Sequence, residues 1–268
     1  AFKDVLFNLA KEYNVPNINE DKPNNKPSTK IKPTIEPDGP TIDNSVVEYY
    51  HKDLLQNEKA LNFLHKTRVV SLDEIKFYRL GISKIRKRYT IPIPDDIGSI
   101  KNIRFYDPFP EGDNPKFQNY SVKVKEGQVK PKFSKNRIFN IRLLLNPSIK
   151  ELYYSAGEMD AIVGTRFGFP CITFTHGEGS FNFEFIELFR DKCITLVLDN
   201  DEGGVNGSRR LTDILSPVVS DLQIKFLPEE YGKDITDFFR NNNADEFKRK
   251  VLGVDNVIYF YRKYPEKN

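Results

Sequence analysis

The sequence predicts an α/β fold, mixed α+β overall: a parallel sheet flanked by helices, preceded by a small basic α+β subdomain and a flexible N-terminal tether. Three observations carry this. From Leu152 onward, short apolar runs alternate with helical patterns, as in a parallel sheet covered on both faces. Residues 89–142 read instead as short strands and turns carrying many Lys and Arg. Between Val15 and Asn44 the chain holds Pro16, Pro23, Pro27, Pro33, Pro37 and Pro40 and few apolar residues, so it cannot bury a core.

Taken in order, residues 1–14 form a first unit. Phe2, Val5, Leu6, Leu9 and Tyr13 share one face at helical spacing. The tether spans 15–44. The basic subdomain, 45–150, opens at Asp43-Asn44-Ser45, any of which can cap a helix. Val46, Val47, Tyr50, Leu54, Leu55, Leu61 and Leu64 then follow at helical spacing. Ser71 and Glu74 have the spacing of a capping box, and Gly81 is expected to end that helix. Thr90–Pro94, a turn at Asp95–Gly98 and a return strand at Ile100–Tyr106 begin the β unit. Short runs at 120–124, 132–133 and 137–141 continue it.

In residues 151–241 the predicted strands are Leu152–Ser155, Cys171–Phe174, Cys193–Leu198 and Leu222–Leu227. The helices between and after them are Glu158–Phe167, Asn182–Phe189, Gly203–Leu215 and Ile235–Asn241. A helical extension, 242–268, includes a helix over 244–252.

At roughly 150 residues per domain, 268 residues suggest about two domains. No apolar run approaches the roughly 20 residues of a membrane span, and the N-terminus lacks a signal-peptide layout. Cys171 and Cys193 sit in apolar runs and read as buried thiols, with no CxxC pair for zinc. The expected compartment is cytoplasmic, in a nucleoid or a phage-infected cell. Residues 1–150 hold 27 Lys and Arg against 18 Asp and Glu, whereas residues 151–268 hold 14 against 20. A basic half beside an acidic half suits a protein holding a polyanion on one side and cations on the other, though two solvated surfaces explain the charge equally well.

Three acidic clusters follow three predicted strands: Gly157-Glu158-Met159-Asp160, Asp199-Asn200-Asp201-Glu202-Gly203-Gly204, and Lys233-Asp234-Ile235-Thr236-Asp237. A single Asp at a strand end is usually a helix cap. Parallel strands, however, present their C-terminal ends along one edge, where carboxylates from separate strands converge. Converging carboxylates repel and need a cation, and hard oxygen ligands suit Mg²⁺ or Mn²⁺.

Ala156-Gly157-Glu158-Met159-Asp160-Ala161-Ile162 and the other two clusters resemble the three Toprim motifs. The flavour is that of DnaG-type primases and of the primase-helicases of phages and mitochondria. Tyr89 to Arg104 and Pro115-Lys116-Phe117-Gln118-Asn119 resemble the N-terminal subdomain of that primase core. The resemblance covers about residues 45–240. It implies a metal-dependent primase making short RNA primers from NTPs on single-stranded DNA. Asp199 and Asp201 would bind the catalytic metal, Asp160 would assist, and Asp234 would complete the metal edge. Glu158 joins Asp160, Asp199 and Asp201 as a catalytic candidate. Lys101, Arg104 and Lys116 would face template or nucleotide phosphates. Lys233, Arg209 and Arg210 are further nucleotide or DNA contacts. An upstream zinc ribbon and a helicase domain or partner are also implied, with no membrane.

One position departs from the family: its first motif begins with Glu where this chain has Ala156. Ala can neither bind metal nor move a proton. Three readings follow: Glu158 or water takes over; activity is low or lost, leaving a DNA-holding module of a replicative helicase; or Ala156 is an engineered replacement of Glu. A Toprim nuclease is a further, separate reading. No P-loop occurs, so ATP-driven unwinding is not encoded in these residues. His176-Gly177-Glu178-Gly179 reads as a tight loop, and Lys84 to Arg88 as a contact for the DNA backbone or a solvated turn.

Overall fold

The structure, a computed structural model, describes residues 38–177 and 179–266. The expected N-terminal helix and most of the tether lie outside the described residues.

The first region begins with three capped helices. Asp43 accepts the Ser45 N–H at 2.7 Å and opens α1, Asn44–Leu55. The single helical run expected through Leu64 is broken because the Asn57 side chain accepts the Ala60 N–H and starts α2, Glu58–Lys66. The capping box of Ser71 and Glu74 is formed at α3, Leu72–Phe77. Gly81 does not end that helix but opens a strand.

A four-stranded antiparallel sheet follows in the order β1 (Gly81–Ser83), β2 (Arg88–Pro94), β3 (Ile100–Tyr106), β4 (Phe117–Asn119). β1 pairs only with Arg88 to Thr90, so Pro92 and Pro94 lie on an unpaired edge where a missing N–H costs nothing. The runs expected as strands at 120–124 and 132–133 are irregular. Lys123, Val124 and Lys125 are all exposed, so no buried face holds them in a sheet.

The third expected run does form a strand, β5 (Ile138–Phe139), but it crosses to the second sheet and pairs antiparallel with β7. The subdomain expected to end at residue 150 therefore gives way to the second sheet before β5. That sheet has the order β5-β7-β6-β8-β9. Its strands β6 (Glu151–Ser155), β7 (Cys171–Phe174), β8 (Cys193–Val197) and β9 (Asp221–Ile224) run parallel. Among the helices, α4 (Ile141–Leu145) follows β5 and α5 (Glu158–Arg166) follows β6. α6 (Glu202–Leu215) follows β8, and α7 (Ile235–Phe239) follows β9. Residues Phe183–Phe189 form a 3₁₀ helix rather than an α-helix. The expected 244–252 helix is α8 (Ala244–Phe247) continued by a π turn, Lys248–Leu252, and α9 spans Val257–Lys263.

Ser155 pairs with Val197, so β6 and β8 end in register. The chain leaves β6 toward β7 on one side and returns as β8 on the other, which makes their shared end a topological switch point. One core joins the two regions: Ile91, Ile93 and Tyr106 of the first pack with Ile162, Phe169, Phe238 and Phe247 of the second. Cys171 is buried and Cys193 partly buried, and both are free thiols. Among the described residues, no helix is long and apolar enough to cross a membrane.

Candidate metal centre

Three carboxylates meet at this switch point. Asp160 lies in the first turn of α5, Asp199 lies just past β8, and Asp234 is the N-cap of α7. One oxygen from each lies within 4.8 Å of the others. Local structure fixes all three. The Thr236 N–H and hydroxyl both donate to Asp160 Oδ1, at 3.1 and 2.6 Å. Asp234 Oδ1 accepts the Asp237 N–H at 2.7 Å. Asp199 sits where α6 presses on the strand end: a Cβ on Gly204 would lie 2.0 Å from the Asp199 carbonyl oxygen, so only glycine fits.

The arrangement is electrostatically costly for a protein alone. Burial pushes the Asp160 carboxyl above its ordinary value; Arg68 opposes this and Asp199 adds to it. Asp234 is pushed up to about 7 by burial, then by Asp160 and Asp237. Carboxyls that resist ionising beside one another form an oxygen donor set that a hard divalent cation would satisfy.

A cavity of about 160 Å³ opens over these groups. Asp160, Asp199 and Asp234 line it together with Ala156, Arg68, Tyr106, Lys116 and Phe117. Arg68 Nε has no hydrogen-bond partner, and its guanidinium carbon lies 5.6 Å from the Tyr106 ring centroid. Lys116 is exposed, with its ammonium 6.0 Å from the Tyr106 ring and 5.9 Å from the Phe117 ring.

A positive charge already stands at the rim. Lys233 Nζ lies 2.8 Å from Asp199 Oδ2 and 2.7 Å from Asp201 Oδ2. Burial works against the Lys233 charge, but its bonds to these two carboxylates hold its pKa above the ordinary lysine value. Burial likewise works to raise Asp201, but the bond from Lys233 and the Gly204 N–H keep it below its ordinary value. Asp201 Oδ1 accepts that N–H at 3.0 Å and so caps α6.

The predicted site residues thus divide. Asp160, Asp199 and Asp234 converge; Asp201 stands beside them, engaged as a cap and by Lys233. Glu158 lines the cavity but is buried against Arg104, whose Nε lies 3.1 Å from Glu158 Oε1. Burial raises the Glu158 carboxyl, and Arg104 opposes the rise. Arg104 also donates to Asn119 Oδ1 at 3.1 Å, so it joins the two regions rather than standing free for phosphate.

Two more of the named cations are engaged within the protein. Lys101 is mostly buried and bonded to Asp38 at 2.9 Å, with Asp95 at 3.8 Å, so its charge is neutralised within the subdomain. Arg209 is buried, donates to the carbonyls of Tyr261 and Tyr264 at 3.0 and 2.6 Å, and stacks 4.5 Å from the Tyr261 ring. It clasps α9 and is not available to nucleic acid. Arg210, its neighbour, is exposed on α6. His176 is held by the Ser134 carbonyl at 2.6 Å, and Glu178 lies outside the described residues. The sequence reading missed Arg68, Tyr106 and Thr236.

No family model matches the chain, and no curated protein sequence matches it. Solved structures do. The zinc-binding and RNA polymerase domains of Aquifex aeolicus primase align with 77% of this chain at a TM-score of 0.61 and 16% identity, and the chain spans 58% of that structure. The E. coli primase catalytic core aligns over 80% of each chain at a TM-score of 0.59 and 16% identity. A DnaG primase catalytic domain bound to single-stranded DNA aligns over 82% of each chain, with a TM-score of 0.60 and 16% identity. The chain therefore has the fold of the DnaG primase catalytic core.

Proposed function

We propose that this chain is a primase core that joins ribonucleotides into short RNA primers on single-stranded DNA, using Mg²⁺ or Mn²⁺. The observation that carries this reading is the convergence of Asp160, Asp199 and Asp234 at the switch point of a primase-like fold. These three residues would hold the cation, with Asp201 adjacent. A divalent cation there would stabilise charge on the attacking and leaving oxygens of phosphoryl transfer. Lys116 and Arg68, which line the same cavity, would meet the triphosphate oxygens. Thr236 orients Asp160, and Lys233 holds Asp199 and Asp201 in place until nucleotide arrives. In this reading the core works beside a helicase and a zinc-ribbon module, as the resemblance implies.

The test is dinucleotide formation from NTPs on single-stranded templates with Mg²⁺ or Mn²⁺, and with Asp199→Asn as control. Product with the unmodified chain and none with the variant is the expected result. No product with either metal on varied templates would sink the proposal.

A second reading has its own observation. Ala156 lines the cavity where a carboxylate would reach the reacting groups, and Glu158 is committed to Arg104. The metal edge would then serve a DNA-holding module with silenced chemistry. A large gain in synthesis by Ala156→Glu over an inactive parent favours this reading; primers made by the unmodified chain remove it.

A further inference from the structure

Asp199 and Asp201 flank one residue, Asn200, and that residue builds a seat for a lysine. The Asn200 N–H donates to the Lys233 carbonyl at 3.2 Å. The Asn200 side-chain amide donates to the Gly232 carbonyl at 2.8 Å and to the Leu227 carbonyl at 3.0 Å. From the other side, the Lys233 N–H donates to Asp237 Oδ2 at 3.0 Å. Gly232 turns the chain there with a φ of 99°, and a Cβ on it would lie 2.5 Å from the Asp237 Cβ, so the turn requires glycine. The backbone of Lys233 is therefore pinned to the Asp-x-Asp turn independently of its side chain.

The ammonium spans both carboxylates of that turn, Asp199 Oδ2 at 2.8 Å and Asp201 Oδ2 at 2.7 Å. A lysine ammonium is a compact point charge with three donors, so it can serve two acids at once. Asp199 thus faces two ways. It joins Asp160 and Asp234 in one oxygen set, and it shares Lys233 with Asp201, which lies outside that set. A carboxylate shared by two cations suits a two-metal phosphoryl-transfer site, where the ions lie about 3.5–4 Å apart. Here one of the two cations belongs to the chain.

We propose that the Lys233 ammonium fills the second cation position of this centre. The nucleotide-free chain then binds a single divalent ion, and a second ion reaches Asp199 and Asp201 only by displacing Lys233. This rests on the reading of a divalent cation among Asp160, Asp199 and Asp234. The Lys233 side chain is half exposed, so it can swing away without unpacking the core. An ion arriving with a triphosphate is suited to the exchange, because the phosphate oxygens offer the released ammonium new partners.

The experiment counts Mn²⁺ bound to the full chain at pH 7.5, from the electron paramagnetic resonance signal of the free ion, without NTPs or DNA. The parent should bind one ion. Lys233→Met keeps the side chain's length, removes its charge and should bind two. Adding Asp201→Asn to Lys233→Met should return the count to one. Far-UV circular dichroism and melting temperature check that each variant is folded, and the parent's count tests the proposal by itself. Two ions on the parent, one on folded Lys233→Met, or two on the double variant would overturn the proposal and leave the metal centre standing. A parent that binds none would sink the metal centre and this proposal together.

Discussion

Asp43 and Asp234 do one job in two regions. Each opens a helix by accepting a backbone N–H at 2.7 Å, Asp43 in the basic subdomain and Asp234 at the acidic edge. Their electrostatics are opposite. The Asp43 carboxyl is exposed and is held below its ordinary value by its bonds to the Ser45 hydroxyl and N–H. Asp234 is raised to about 7 by burial and by two carboxylate neighbours. Capping explains the first residue completely and the second only in part. Where a cap is buried against other acids, the fold accepts a penalty that capping does not require, and a bound cation would remove it.

The largest expected effect breaks the acidic side of this comparison. Asp199→Asn should lower metal-dependent primer synthesis on the order of a thousandfold. In metal-free protein it should change the melting temperature little, because the repulsion from Asp160 and the ion pair with Lys233 are lost together. A clear drop in metal-free stability would show that Asp199 serves structure. Next comes the joint between the regions. Arg104→Met strands the buried Glu158 charge and should cost about 3 kcal/mol in denaturant titration, since removing one partner of a buried pair leaves the other uncompensated. The double variant with Glu158→Gln should recover much of that loss.

The pH dependence is smaller and has a definite sign. An acid whose folded pKa is raised keeps its proton where the unfolded chain has already lost it. The Asp234 contribution should therefore make metal-free stability fall as pH climbs from about 4 to about 7. Mg²⁺ or Mn²⁺ at pH 7.5 should raise the melting temperature by about 4 °C or more, and have little effect at pH 4.5, where the site is protonated. Equal metal effects at both values would show that the cation binds elsewhere. The smallest effect is at the exposed cap: Asp43→Ala should lower the melting temperature slightly, with no dependence on divalent cation.

The acidic edge was legible because each cluster directly follows an apolar strand, and a parallel sheet places such ends together whatever the loops do. Asp234 and Asp160 needed nothing else. Arg68 and Tyr106 were hidden because they come from a turn after α2 and from the end of β3, with no local pattern to join them to Asp160. Arg209 was named as a nucleic-acid contact although a signal of its burial existed. It falls one helical turn from Val205 and from Thr212, on the stripe that also holds Ser208 and Leu215, so its side chain had to point inward. The strand at β5 was expected, but its place in the second sheet was not, because two residues pairing with a strand more than thirty positions away leave no periodic trace of their partner.

The contact between Gly204 and the Asp199 backbone makes the Asp-x-Asp turn a gauge of distance. One methyl group at that glycine would wedge the helix off the strand end and shift the Asp199 carboxylate while leaving every charge in place. Gly204→Ala therefore separates two demands that are otherwise entangled: having the right carboxylate, and having it within reach.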